Sequence, residues 1–225
     1  MKLNGKAAAI VIRTILHLIC KIDRKELKKI PQKGPFIVAM NHINFLEVPM
    51  IMVELFPRKI HGIAKKETWN NSILGWVANS WESLSIDREG STTETFRQAR
   101  KILDKGHFLI IAPEGTRSQD GKLRVGKPGV ISIALRSKVP IIPIAHFGGE
   151  IIYSNLKKIK RTKFTFKVGN PIILQPEGKA DQEKRKYFTD QVMYRIAELL
   201  PEEYRGVYSN LDNISKNEIT EVMCD

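Results

Sequence analysis

Apolar residues fall in short blocks along this chain, and the spacing inside each block indicates what it builds. Phe36–Met40 and His107–Ala112 are runs with the composition of strands buried on both faces. Lys59–Ala64 and Ser83–Asp87 read as two further strands, and Lys163–Val168 alternates well enough for another. Between them lie helical spacings: Val48 to about Phe56, closed by Pro57, then Thr68–Ser80, Ser91–Lys105, Gly129–Ser137 and Asp181–Leu200. The last places Phe188, Val192, Ile196 and Leu199 on one side. Ser91-Thr92-Thr93-Glu94 permits an N-cap with a capping box, and Gly106 stops that helix. Val139–Ala145 is apolar enough for a strand, but Pro140 and Pro143 remove ladder donors, so an edge or bulged position is predicted. Strands alternating with helices predict an α/β fold: a single domain with a mixed, largely parallel sheet flanked by helices. The spacing divides the chain into a basic amphipathic segment at 1–30, the main domain at 31–200, and an acidic tail at 201–225 that reads as a cap or frayed end.

The first segment changes the picture most. Residues 1–33 hold nine Lys or Arg and two acidic residues, a net of +7. Inside it runs Ala7 to Cys20, apolar but short of the roughly 20 residues a span requires, with Arg13 in its middle. The small-residue cleavage site of a signal peptide is absent, and Ile19 before Cys20 does not fit a lipoprotein. Two readings stand: a helix lying in an anionic membrane interface, flanked by Lys2, Lys6, Lys21, Arg24, Lys25, Lys28 and Lys29, or an ordinary N-terminal helix packed on the core.

Over the whole chain 37 basic against 24 acidic residues give +13. Such a charge implies an anionic partner: nucleic acid, an acidic membrane surface or a phosphorylated substrate. Nucleic acid is disfavoured, because the basic run Lys157-Lys158-Lys160-Arg161-Lys163 has no interleaved aromatics and no recognised module. Cys20 and Cys224, at opposite ends, argue against a disulfide scaffold and suit a reducing compartment. The five histidines show no metal-ligand spacing, so no metal is expected.

Candidate chemistry gathers where strands end. Asn41-His42-Ile43-Asn44-Phe45-Leu46-Glu47 joins the first strand to a helix. Five residues apart on one helix, His42 and Glu47 would diverge. Across a turn they can converge, with Glu47 orienting His42 as a general base; the alternative is a solvated loop with two unrelated polar residues. Lys65 and Lys66 follow the second strand, Arg88 follows Ile86-Asp87, and Glu114-Gly115-Thr116-Arg117 follows the buried run ending at Ala112. In open α/β sheets the crevice beyond the strand C-termini receives ligands, and guanidinium forks match phosphate oxygens. If these strands are parallel neighbours, one histidine and several cations share a rim. Gly121–Lys127 imitates a P-loop, but Pro128 replaces the magnesium-binding Ser or Thr and withholds an N–H, so nucleotide hydrolysis is rejected.

From about Gly34 to Ile172 these segments resemble the glycerophospholipid acyltransferases, specifically the bacterial 1-acyl-glycerol-3-phosphate acyltransferases. Asn41-His42 with Glu47 resembles the family's Asn-His-x4-Asp motif, whose His and Asp form the catalytic pair. Ala64-Lys65-Lys66-Glu67, Gly75-Trp76 and Ile86-Asp87-Arg88 look like the acceptor-binding region. Pro113–Ser118 is similar to the motif that holds the acceptor's phosphate, and Val139–Ile144 to the proline-containing strand. Glu47 stands where the family has Asp, Asn44 where it usually has Ser, and Ala112 where Phe commonly sits. The resemblance implies an acyltransferase domain over 31–200 that moves an acyl chain from acyl-CoA or acyl-ACP to a lysophospholipid hydroxyl, without a cofactor. His42 and Glu47 would be catalytic, and Lys65, Arg88, Glu114, Gly115, Thr116 and Arg117 would bind the substrate phosphate. It also implies a helix at the cytoplasmic face of the membrane, peripheral or monotopic. The competing class is a lipid-binding relative without turnover.

Overall fold

The computed structural model describes residues 3–86 and 92–222. In chain order the first half forms α1 (Leu3–Ile19), β1 (Cys20–Asp23), β2 (Phe36–Met40), α2 (Glu47–Glu54), β3 (Ile60–Lys65), α3 (Ser72–Ser80) and β4 (Leu84–Ile86). The second forms α4 (Thr92–Asp104), β5 (Phe108–Ile111), α5 (Gly129–Ser137), β6 (Ile141–Phe147), α6 (Ile152–Lys157), β7 (Thr162–Val168), β8 (Ile172–Leu174), α7 (Gln182–Glu198) and β9 (Ile219–Glu221). The predicted start of the third helix at Ser91, the Arg88 that precedes it and Cys224 lie outside the described residues.

One mixed sheet runs in the order β1-β7-β6-β2-β5-β3-β4, with β8 on β6 and β9 on β8. Strands β6, β2, β5, β3 and β4 are parallel, and β7 runs antiparallel to β6. Period-2 alternation decides which face each side chain buries. Ile37, Ala39, Leu109, Ile111 and Ile141 join a core with residues of α4, α5 and α7. Val38, Met40, Phe108, Ile110 and Ile142 face the other way, into a core with α1 and α2. Both faces are covered, which explains why the central strands read as unbroken apolar runs.

The edge position expected for Val139–Ala145 is corrected: β6 is central and its first six residues are buried. Its prolines are tolerated for a local reason. Pro140 precedes the strand and only accepts, from Ile37 N at 3.0 Å. Pro143 accepts from Gly169 N at 2.9 Å, so its missing N–H would point to the same side. That side is the gap between the Ile141–Ile172 pair and the Ile144–Val168 pair, where the chain crosses from β7 to β8. No ladder donor is required there.

Both terminal segments belong to this sheet rather than standing apart. Strand β1, unforeseen in the basic segment, pairs with β7. Arg161 Nη2 donates to the carbonyls of His17 and Cys20, each at 2.6 Å, and so closes the C-terminal end of α1. The acidic tail packs as a cap, with Tyr208 and Ile219 buried in the first core. Among the described residues no helix is long and apolar enough to cross a membrane.

Candidate active site

The turn after β2 is held from several directions. Asn41 is buried: its Nδ2 donates to His146 O, its Oδ1 accepts from His146 N, and its carbonyl accepts from His146 Nε2, all at 2.9 Å. Burial lowers the His146 pKa, which keeps that ring neutral, with Nε2 carrying the proton. Three residues on, Asn44 uses both ends of its amide. Its Oδ1 accepts from Leu46 N at 2.8 Å, closing an Asx turn, and its Nδ2 donates to Gly149 O at 3.0 Å. A Cβ at position 149 would lie 2.4 Å from the Phe164 ring and 2.8 Å from that Nδ2, so only glycine allows this approach. Asparagine where the resembled family has serine thus acts as a strut from the turn to the chain after β6.

Glu47 opens α2, at the helix end that favours a negative charge. It is fully buried; one carboxylate oxygen accepts from His42 Nδ1 and the other from Asn44 N at 3.0 Å. The five-residue spacing therefore closes through a turn, as its chemistry requires. With Nδ1–H held by a carboxylate, the imidazole presents Nε2 as a proton acceptor, on a side chain that remains 25% exposed.

The loop after β5 is bolted to this turn. Glu114, expected among phosphate-binding residues, instead faces inward: it is buried, and its two oxygens accept from His42 N at 2.8 Å and Arg124 N at 2.9 Å. Its oxygens are occupied by backbone amides and it braces the site rather than reaching a ligand. Burial pushes its pKa up to about 7, against the pull of those two amides. Ser118 N donates to His42 O at 2.7 Å, so the loop grips the histidine's backbone at both ends. Gly115 has φ +65, the left-handed conformation that bends the chain between the two anchors.

Register brings the remaining candidates to one rim. Gly62 is level with Ile110, and Ala39 with Ile111, so Lys65, Pro113 and Asn41 end their strands at similar heights. Lys65, Thr116 and Arg117 are exposed there, and their side chains make no hydrogen bond or ion pair among the described residues. Ile86 lies beside Lys65 at the end of β4, and Arg88 lies outside the described residues. Lys127 was missed. Its N–H bonds Pro113 O at 2.8 Å, and its stem lies over Gly115, where an added Cβ would be 3.1 Å from its Cδ. Weighing it only as a P-loop lysine hid it, since nothing in the spacing tells that two loops cross. Among the described residues no group of three or more His, Cys, Asp or Glu is placed to hold a metal ion.

An α/β sheet with this edge places the protein in the class of O-acyltransferases. Residues 21–146, more than half of the chain, match the family described as Acyltransferase, and the chain belongs to it. It is 29% identical over 168 residues to the 1-acyl-sn-glycerol-3-phosphate acyltransferase of Bacillus subtilis (strain 168), covering 74% of this chain and 81% of that protein. It is 28% identical over 177 residues to the Cocos nucifera protein of the same name, covering 77% of this chain but only 56% of that longer relative. The crystal structure of the 1-acyl-sn-glycerophosphate acyltransferase from Thermotoga maritima superposes with a TM-score of 0.61 at 25% identity, over 88% of this chain and 82% of that one.

Proposed function

We propose that the protein transfers an acyl chain from an acyl thioester, acyl-CoA or acyl-ACP, to the free hydroxyl of lysophosphatidate, giving phosphatidate. The observation that carries this reading is the His42–Glu47 pair bonded, through Glu114 and Ser118, to the loop bearing Thr116 and Arg117. The names of the relatives, each a 1-acyl-sn-glycerol-3-phosphate acyltransferase, support the acceptor.

In this scheme His42 Nε2 takes the acceptor's hydroxyl proton as the oxygen attacks the thioester carbonyl. The carbon–sulfur bond then breaks, and the imidazolium returns the proton to the departing thiolate. Glu47 fixes the tautomer and stabilises the imidazolium without taking the proton. No acyl-enzyme is required. Cys20 is fully buried, and burial pushes its thiol pKa up to about 11, which makes it a poor nucleophile. Arg117, with Lys65 and Arg88 in support, binds the acceptor's phosphate, and Lys127 joins them because it lies over the same loop. The apolar edge of α1 rests on an anionic membrane, from which the lysophospholipid acceptor arrives.

The test is thioester consumption by the purified protein, followed as thiol release, with lysophosphatidate and with an unphosphorylated monoacylglycerol as acceptors. Release of thiol and formation of phosphatidate only with the phosphorylated acceptor is the expected result. Lipid binding with no release would make the protein a non-catalytic relative.

A further inference from the structure

Away from this rim, an open hollow of about 380 Å³ lies along α1, lined by Arg13, Thr14, His17, Leu18 and Arg24. Three of these residues hold Glu54, the last residue of α2, whose side chain is fully buried. Arg24 Nη1 donates to this carboxylate at 2.7 Å, His17 Nε2 at 2.6 Å, and Arg13 Nη2 stands 3.6 Å away. Burial alone would raise the Glu54 pKa, but the hydrogen bonds from Arg24 and His17 outweigh it and hold the carboxyl below its usual range. One buried negative charge thus faces two guanidinium groups, so positive charge is left over. Each guanidinium carries five N–H donors, and only one of each meets Glu54. The remaining edges open outward on side chains that stay 42% and 49% exposed.

A structural ion pair would need only one of these cations. The placement is also unusual for a pair facing water, because the hollow's wall Leu18 is 68% exposed and continues into the exposed Val11 and Ile15 of the same helix. A helix lying in a membrane interface buries such an apolar edge and carries the residues beside it at headgroup level. Arg13 and His17, four residues apart, stack on one side of α1 at that level. We propose that the hollow seats the phosphate of an anionic phospholipid headgroup, held by the guanidinium edges of Arg13 and Arg24. This rests on the reading of α1 as an interfacial helix and adds a defined lipid site to it.

The test is co-sedimentation of the full-length protein with phosphatidylcholine vesicles containing phosphatidylglycerol. Arg13 is the residue to change, since its contact with Glu54 is the longest of the three. Lys6→Ala, which removes an exposed charge from the same helix but outside the hollow, controls for general electrostatics. That control should weaken binding about fivefold. Arg13→Ala should weaken it at least about tenfold further, through lost charge-assisted hydrogen bonds. Arg13→Lys, which keeps the charge but not the fork, should fall between them. Turnover of Arg13→Ala on a water-soluble short-chain acceptor should match the wild type and report an intact fold. Equal losses for Arg13→Ala and Lys6→Ala would overturn the site while leaving the interfacial helix standing. No binding of the wild type to these vesicles would overturn both. Release of bound protein by low-millimolar inorganic phosphate at constant ionic strength would show a soluble-anion site and overturn the lipid assignment.

Discussion

In the turn of residues 41–47, Asn41, Asn44 and Glu47 are all buried and each makes at least two hydrogen bonds. On the rim a few residues away, Lys65, Thr116, Arg117 and Lys127 are all exposed. The two regions share a backbone scaffold, because Glu114 and Ser118 bond the histidine from the rim's own loop. They differ in what is fixed beforehand. In the proposed scheme the turn positions its proton acceptor before substrate arrives, so no reorganisation is needed at the moment of reaction. The rim leaves long cationic side chains exposed, and in the same scheme substrate binding would order them at a cost in side-chain entropy. Losses in the turn should therefore fall on kcat and losses on the rim on KM.

The largest effect tests the turn. His42→Ala should lower kcat by about 10³-fold or more, the range of a lost general acid–base, with the melting temperature unchanged within about two degrees. Undiminished thiol release would remove His42 from the mechanism. Next, Glu47→Gln keeps the shape and loses the charge, and should cost about 10²-fold or more in kcat. Glu47→Asp, the residue the resembled family carries, should stay within about tenfold of the wild type. If both behave alike, the carboxylate's charge is not what orients His42. On the rim, Arg117→Ala should raise the KM for lysophosphatidate about tenfold and leave kcat within about threefold. A fall confined to kcat would erase the distinction between the two regions.

The smallest effect concerns the brace between them. The Glu114 pKa of about 7 exceeds its ordinary 4.5, so between those values the folded protein holds a proton that the unfolded chain has lost. Its contribution to stability therefore declines as pH rises from about 4.5 to 7, by up to about 3 kcal/mol, and is level above. His61, His107 and His146 are held below 6.5, chiefly by burial, and act in the opposite direction. The difference between wild type and Glu114→Gln isolates the carboxyl. The wild type's advantage in denaturant unfolding should be greater at pH 5 than at pH 8, and a flat difference would mean that Glu114 is ionised throughout.

What could be seen beforehand follows from whether the signal is local. Phe36–Met40 and Gly129–Ser137 are delimited in the structure as the spacing predicts, since Gly34-Pro35 stands just before the first and Pro128 just before the second. The meeting of His42 with Glu47 was also legible, because five residues and a turn span it. Position in the sheet was not. The prolines of Val139–Ala145 predicted an edge, whereas the gap that accommodates Pro143 is made by β7 and β8, some 25 residues further along. Glu114 was misread for the same reason. The resemblance and its place at a strand end put it among the phosphate-binding residues, but its partners are backbone amides, which no sequence pattern displays. Strand β1 was hidden inside a basic apolar stretch whose helical character dominated its short extended end.

The pairing of β1 with β7 also bears on how the chain is made. Arg161 reaches the carbonyls of His17 and Cys20 across 144 and 141 residues of sequence. On the ribosome α1 and α2 can join early through Glu54, yet β1 has no partner strand, and the end of α1 no closure, until β7 has emerged. Contacts this distant in sequence form late, after the loop-closure entropy has been overcome. Helix α1 is therefore anchored at only one end during most of synthesis, and the closure of its other end against β7 is among the last steps of folding.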